Sequence, residues 1–222
     1  MTKKIFFASM KRKRNRGKGM SDKMLVKKAE DFITSKWSGG STTELYIYPP
    51  QSVYREGNFK CRISSATVEV EKSDFTSLPE VKRYLSIFSG ELKMIHGEKE
   101  EVILEPFEVD CFDGGVPTVS YGKVVDFNLM LKNGADGEMQ AKEMQAEEEM
   151  ILKPTESENL LAVYVKTGCI QIKDKAVREG ELLVCEDWNE ELKIKNTASK
   201  KTGVGISVGH AWILKKRWGI EA

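Results

Sequence analysis

From residue 44 onward the chain runs in short apolar stretches rich in Val, Ile, Tyr and Phe, broken every eight to twelve residues by Gly, Pro, Asn or Asp. This texture predicts strands rather than helices. Candidate strands in the first half are Leu45–Tyr48, Phe59–Glu71, Tyr84–Phe88, Leu92–His96, Val102–Leu104, Val109–Phe112 and Val124–Leu131. After Asn133-Gly134 comes Ala135–Met150, dominated by Glu, Met, Gln and Ala with no β-branched residue, which reads as a linker or a short connecting helix. Strands resume at Ile151 and continue through Leu160–Val165, Cys169–Ile172, Leu182–Cys185, Leu192–Ile194, Val204–Val208 and Ala211–Leu214. The chain is therefore all-β in two halves.

The halves echo each other. Leu85 to Gly90 followed by Leu92–Ile95 parallels Leu161 to Gly168 followed by Cys169–Ile172. Downstream, Glu105, Cys111 and Asp113 recur as Glu179, Cys185 and Asp187 at a constant offset of 74. Two matches in the same order predict a duplicated β unit, stacked as paired barrels or sandwiches. The expected organisation is a basic arm over 1–28, a first unit over 29–133 holding a candidate pocket, a connection over 134–150 and a smaller second unit over 151–222.

One strand carries an ambiguity that bears on chemistry. In Phe59–Glu71 the even positions Ala66, Val68 and Val70 are apolar against Thr67, Glu69 and Glu71, so the even face points inward. Extended backward, that face carries Arg62 and Ser64, yet Phe59, Cys61 and Ile63 make the odd face apolar there. Either a bulge near Ser64-Ser65 reverses the phase, or both faces are covered. A bulge leaves Arg62 exposed, which is the default on pattern alone. Two covered faces aim Arg62 and Ser64 into an interior, where a buried Arg must be paired and is a natural fork for a carboxylate. Val125–Leu131 poses the same question: its odd residues are apolar, and Asp126 and Asn128 share the other face, either solvated or lining a polar pocket.

Charge divides the chain. Residues 1–19 hold eight Lys or Arg and no acid, whereas residues 20–222 hold 27 basic and 34 acidic residues, so the near-neutral total conceals a basic arm on an acidic body. Nucleic-acid binding is thereby excluded from the body and left only to the arm. A translation start at Met20 would remove the arm altogether. No apolar run approaches the ~20 residues that span a bilayer, and the Lys11–Arg16 cluster stands where a secretory signal would be cleaved, so a cytoplasmic protein without membrane partners is expected. Cys61, Cys111, Cys169 and Cys185 show no paired spacing and fall in apolar strands, which predicts buried thiols. His96 and His210 are isolated, one in each half, and neither a metal-ligand set nor a Gly-x-Ser-x-Gly elbow occurs. His96 shares its parity with Leu92 and Met94 and reads as a packing residue. No metal and no cofactor are expected.

Five ordered segments carry a resemblance: Trp37-x-Gly-Gly-x-Thr42-x-Glu44, Phe59-x-x-Arg62-Ile-Ser64-x-Ala66-x-Val68, Phe75-x-x-Leu78-Pro79-x-x-x-Arg83, Phe112-x-Gly114 and Asp126-x-Asn128-Leu-Met130. Together, over about residues 34 to 132, they resemble the HutD/Ves family of bicupin-like proteins linked to bacterial histidine utilisation. The resemblance implies a double-stranded β-helix fold with two stacked cupin-like barrels, no catalytic metal, and a small-ligand pocket in the first barrel. It also implies a regulatory part in histidine degradation, with an acidic intermediate such as formylglutamate or urocanate as ligand. Glu80 departs from the pattern, standing where the family usually has Gly after Pro79.

On this resemblance, Arg62 with Arg83 is expected to hold an acidic ligand, Glu44, Ser64, Asp126 and Asn128 to orient its other polar groups, and Trp37 to form an apolar wall. The bland reading gives the Arg–carboxylate pairs a purely structural role. Three function classes follow: a non-enzymatic binding protein, a metal-independent isomerase or hydrolase using Glu44 or Asp126 as base, and a partner- or nucleic-acid-binding protein acting through the arm. A homodimer is an open option.

Overall fold

The computed structural model describes residues 24–98, 100–154 and 159–209. The first eleven strands are β1 (Met24–Lys27), β2 (Ile33–Trp37), β3 (Gly40–Tyr48), β4 (Cys61–Val68), β5 (Lys72–Asp74), β6 (Lys82–Ser89), β7 (Leu92–His96), β8 (Glu100–Leu104), β9 (Val109–Asp113), β10 (Thr118–Tyr121) and β11 (Val125–Leu131). Eight follow: β12 (Gly137–Met144), β13 (Glu149–Leu152), β14 (Asn159–Val165), β15 (Cys169–Ile172), β16 (Lys175–Arg178), β17 (Leu182–Trp188), β18 (Leu192–Asn196) and β19 (Thr202–Gly209). The expected strand Ala211–Leu214 and His210 lie outside the described residues.

Four antiparallel sheets stack as layers. The outer sheet of the first unit is ordered β5-β10-β7-β8, and its inner sheet β2-β3-β4-β11-β6-β9. The second unit repeats the plan, with inner sheet β1-β17-β14-β19-β12 and outer sheet β13-β18-β15-β16. The duplication is visible in the order itself: β4-β11-β6-β9 corresponds to β12-β19-β14-β17, and β5-β10-β7-β8 to β13-β18-β15-β16.

Three apolar layers hold the stack. Leu85, Ile87, Leu92 and Met94 join the two sheets of the first unit, and Leu161, Val163, Ile170 and Ile194 join those of the second. Between the inner sheets lies a seam of Cys61, Ile63, Phe127, Leu129, Ala162, Tyr164 and Val184. At its centre Phe127 lies flat on Tyr164, ring centroids 5.9 Å apart at 8°, and over Gly205, where a Cβ would come within 2.5 Å of the Phe127 ring.

Three expectations are corrected. The segment 134–150 is neither linker nor helix, because Gly137–Met144 forms β12, paired residue for residue with β19. A neighbour offering eight ladder positions overrides the helical preference of Glu, Met, Gln and Ala. The arm over 1–28 also ends early, since Met24–Lys27 pairs with β17, Met24 opposite Cys185. Cys111, expected buried, is exposed because β9 is the edge strand of its sheet, while Cys61 and Cys185 are buried and Cys169 is half-buried.

Candidate functional site

The phase conflict in β4 resolves through its neighbour. β4 runs without a bulge against β11, and the bulge lies in β3, where Glu44 faces Ser64 but Tyr46 faces Ile63, leaving Leu45 as the extra residue. Both faces of β4 are covered: Cys61 and Ile63 enter the seam, and Arg62 and Ser64 enter the space between the two sheets of the first unit. Arg62 is 6% exposed.

Register then assembles the polar set. Met130 of β11 stands opposite Arg62 on one side and Arg83 on the other. One step along, Asn128 stands between Ser64 and Leu85. Two residues beyond, Asp126 faces Ile87. Side chains on paired residues share a face, so Glu44, Arg62, Ser64, Arg83, Asp126 and Asn128 all project into the first unit.

Each charge has a different environment. Arg62 donates from Nε to Glu44 Oε2 at 2.7 Å and from its terminal nitrogen to Ser64 Oγ at 3.1 Å, and its guanidinium lies 4.1 Å from the centroid of the Tyr54 ring. It is neutralised and held flat. Arg83 has no carboxylate within ion-pair reach among the described residues; its guanidinium lies 4.6 Å from the Phe75 ring centroid and 5.3 Å from that of Phe112, and Nε is buried without a partner. Burial lowers its pKa to about 10, with Tyr54 and Asp126 opposing and Arg62 adding repulsion, so Arg83 remains cationic at neutral pH.

Asp126 Oδ1 accepts the backbone N–H of Ala66 at 2.7 Å. Desolvation pushes its carboxyl up to about 6 against that bond and the two arginines. Asn128, 4% exposed, has its Oδ1 unpartnered. A buried orphan polar atom costs roughly 1–3 kcal/mol, and Arg83 and Asn128 each carry one on the same face of adjacent strands. The other orphans, Ser86 Oγ and Ser207 Oγ, are hydroxyls on strand faces turned to the seam.

The duplication supplies an internal control. Gly90 and Gly168 both take positive φ after β6 and β14, and counting back from them sets Arg83 against Leu161, Leu85 against Val163 and Ile87 against Val165. Across the ladder, Asp126 pairs with Ile87 as Val204 pairs with Val165, and Asn128 with Leu85 as Ile206 with Val163. Leu161, Val163, Val165, Val204 and Ile206 are all buried in the apolar core of the second unit. The same fold closes with hydrocarbon at the positions of Arg83, Asp126 and Asn128. Those polar side chains are not a requirement of the architecture.

Trp37 is not part of this set. It ends β2 at the tip of the β2–β3 hairpin, 39% exposed, with its ring over Gly39. The aromatic walls around the arginines are Tyr54, Phe75 and Phe112. His96 was legible only as an inward residue; it is 6% exposed, and its Nδ1 meets Thr118 Oγ1 at 2.9 Å while Nε2 meets Asp110 Oδ2 at 3.0 Å. This link ties the outer sheet to the edge of the inner sheet. Nothing in the sequence spacing announced it, because Asp110 and Thr118 lie 14 and 22 residues away. Among the described residues no three His, Cys, Asp or Glu gather in a metal-holding group, and no helix is long and apolar enough to cross a membrane.

The HutD family model matches residues 29–202. The chain belongs to the HutD family. The fold agrees with solved structures of low sequence identity. A conserved protein of unknown function, PA5104 from Pseudomonas aeruginosa PAO1, is 18% identical with a TM-score of 0.68, covering 83% of this chain and 98% of its own. HutD from Pseudomonas fluorescens SBW25 is likewise 18% identical, with a TM-score of 0.64 over 83% and 97%. YhhW from Escherichia coli, at 9% identity and a TM-score of 0.63 over 83% and 97%, has the same arrangement. Among curated proteins none matches significantly. As a HutD-family chain it has its five sequence motifs on β2, β3, β4, β6, β9 and β11 and the turns between them. Glu80 takes φ 63° in the Leu78-Pro79-Glu80-Val81 turn, closed by Val81 N–H to Leu78 O at 3.3 Å. Pro second and a left-handed third residue define a type II turn, which explains why Gly suits that position.

Proposed function

We propose that this HutD-family protein binds a small carboxylate metabolite inside its first unit, without turnover, and acts as a sensor. The observation that carries the reading is the pair of buried, unpartnered atoms, Arg83 Nε and Asn128 Oδ1, at positions where the duplicated half is apolar. A structural role satisfies Arg62, which has Glu44 and Ser64, but leaves Arg83 unexplained. A ligand completes the site if it brings an anion to Arg83 and an N–H or O–H to Asn128.

Formylglutamate, with carboxylates and an amide N–H, and urocanate, with a carboxylate and an imidazole N–H, both meet that requirement. HutD from P. fluorescens was solved in a formate condition, and formate is the smallest carboxylate. A regulatory part in histidine degradation, expected from the family resemblance, fits a protein that binds such an intermediate. The test is titration calorimetry with formylglutamate, urocanate and glutamate on the wild type and on Arg62→Ala and Arg83→Met. Saturable heat with one of the first two, weakened in both variants, is expected; no heat with any, or unchanged affinity, overturns the ligand.

One observation favours a second reading. With its pKa near 6 and Oδ2 free of any hydrogen bond among the described residues, Asp126 could accept a proton near neutral pH. A metal-independent isomerase or hydrolase would then release product from a carboxylate panel, and Asp126→Asn would abolish release while binding persisted.

A further inference from the structure

Asp126 is fixed on one side and open on the other. Ser65 Oγ donates to its backbone O at 2.6 Å, and the Ala66 N–H donates to Oδ1 at 2.7 Å. Oδ2 carries no hydrogen bond among the described residues and, in a residue 9% exposed, is the oxygen left accessible. Asp126 and Asn128 stand two positions apart on one face of β11, about 7 Å along the strand. Arg83 and Asp126 act on each other through space, each favouring the charged form of the other, without closing to an ion pair. A ligand that answers Arg83 Nε and Asn128 Oδ1 therefore lies beside Asp126 Oδ2.

Charge in this space is balanced before a ligand enters. Two guanidiniums, Arg62 on β4 and Arg83 on β6, meet two carboxyl groups, Glu44 on β3 and Asp126 on β11. Tyr54, from the turn before β4, lies on Arg62, and His96, from the outer sheet, is engaged by Asp110 and Thr118. Desolvation holds the Asp126 carboxyl at about 6, so at about pH 7.5 it is mostly ionised. A ligand carboxylate set against Arg83 makes three carboxylates against two guanidiniums. When carboxylates share a buried site, the pKa of one is strongly raised. Glu44 is committed to Arg62 at 2.7 Å, which leaves Asp126 to take the proton.

We propose that ligand binding is proton-coupled: a carboxylate at Arg83 brings one proton from solvent onto Asp126 Oδ2, which donates it in a hydrogen bond to a ligand carboxylate oxygen. One O–H bond forms on Oδ2, and no bond of the ligand breaks. The inference rests on the anion-binding reading of the same site and adds its regulation by pH. Affinity is highest where Asp126 is already protonated, below about pH 6. It falls as pH rises from there to the higher pKa that Asp126 takes in the complex.

Two probes that do not titrate near neutral pH, formylglutamate and formate, test this on the full chain. Calorimetry in phosphate and in Tris at about pH 7.5 counts the protons taken up per formylglutamate bound, and the ¹³C carboxyl resonance of Asp126 reports the same event for either probe. Expected are about one proton per ligand, a resonance moving to its protonated position, and about 10-fold tighter binding at pH 6 than at pH 8. Asp126→Asn should bind with no proton uptake and little pH dependence, while His96→Gln should keep both as in the wild type. Saturable binding with no proton uptake and an unmoved Asp126 resonance overturns this inference and leaves the binding reading standing. Uptake that persists in Asp126→Asn, or vanishes in His96→Gln, assigns the proton to another group and overturns it as well. No saturable binding of either probe removes the binding reading and the inference with it.

Discussion

Arg62 and Arg83 flank Met130 in register across three neighbouring strands, so one residue of β11 separates two buried guanidiniums. They are not equivalent. Arg62 is paired with Glu44 at 2.7 Å, whereas Arg83 is set against aromatic rings with its Nε unused. The asymmetry separates one satisfied arginine from one with an unused donor, and separable consequences follow.

Replacing Arg83 by Met should dissociate binding from stability. The free protein loses a buried charge without a direct counter-ion, so its stability should hold or rise by up to about 1 kcal/mol, the loss of stacking on Phe75 being of similar size. Ligand affinity should fall about 10- to 100-fold, as for the loss of charge-assisted hydrogen bonds. Urea unfolding and calorimetry on the same samples check both halves.

Glu44→Gln should behave in the opposite way. The Arg62–Glu44 side chains are only 7% and 18% exposed, and removing one partner leaves a buried charge unanswered, a loss of about 3 kcal/mol. Thermal unfolding should show it without ligand present.

Asp126 gives a pH signature. Its carboxyl is held at about 6 in the fold, above the usual value of 3.8, so the folded state keeps a proton that the unfolded chain has released. Between these values stability falls as pH rises, by on the order of 3 kcal/mol in total. The contribution is fully present below about pH 4 and gone above about pH 6. Subtracting the urea-unfolding profile of Asp126→Asn from that of the wild type should leave this slope; a flat difference would contradict a carboxyl whose desolvation outweighs its Ala66 hydrogen bond and the two arginines.

Much of the fold was legible, because alternating apolar positions from Leu45 to Val208 mark strands whatever their partners. What failed was local. β12 reads as helix by composition, and only the ladder offered by β19 makes it a strand. The bulge that decides the fate of Arg62 lies in β3, not in β4, so no inspection of Phe59–Glu71 could place it. Trp37 sits in a motif beside Glu44 but on the far end of a hairpin, and sequence proximity overstated its share in the site. Conversely, Thr118 reaches His96 through sheet pairing and Asp110 through the packing of one sheet on the other.

Glu80→Gly tests the turn beneath Arg83. A left-handed residue other than Gly is strained by about 1 kcal/mol, partly offset by the extra unfolded-state freedom of Gly. A net gain of a few tenths of a kcal/mol is expected from thermal unfolding.

The central claim is that Arg83 Nε–H awaits a ligand anion. The most direct measurement is the ¹H–¹⁵N resonance of that Nε–H during titration with formylglutamate and, separately, urocanate. A saturable downfield shift with one of them, at the concentration that saturates the calorimetric heat, is the predicted result. Heat of binding with an unmoved Arg83 Nε–H would place the ligand elsewhere and contradict the account.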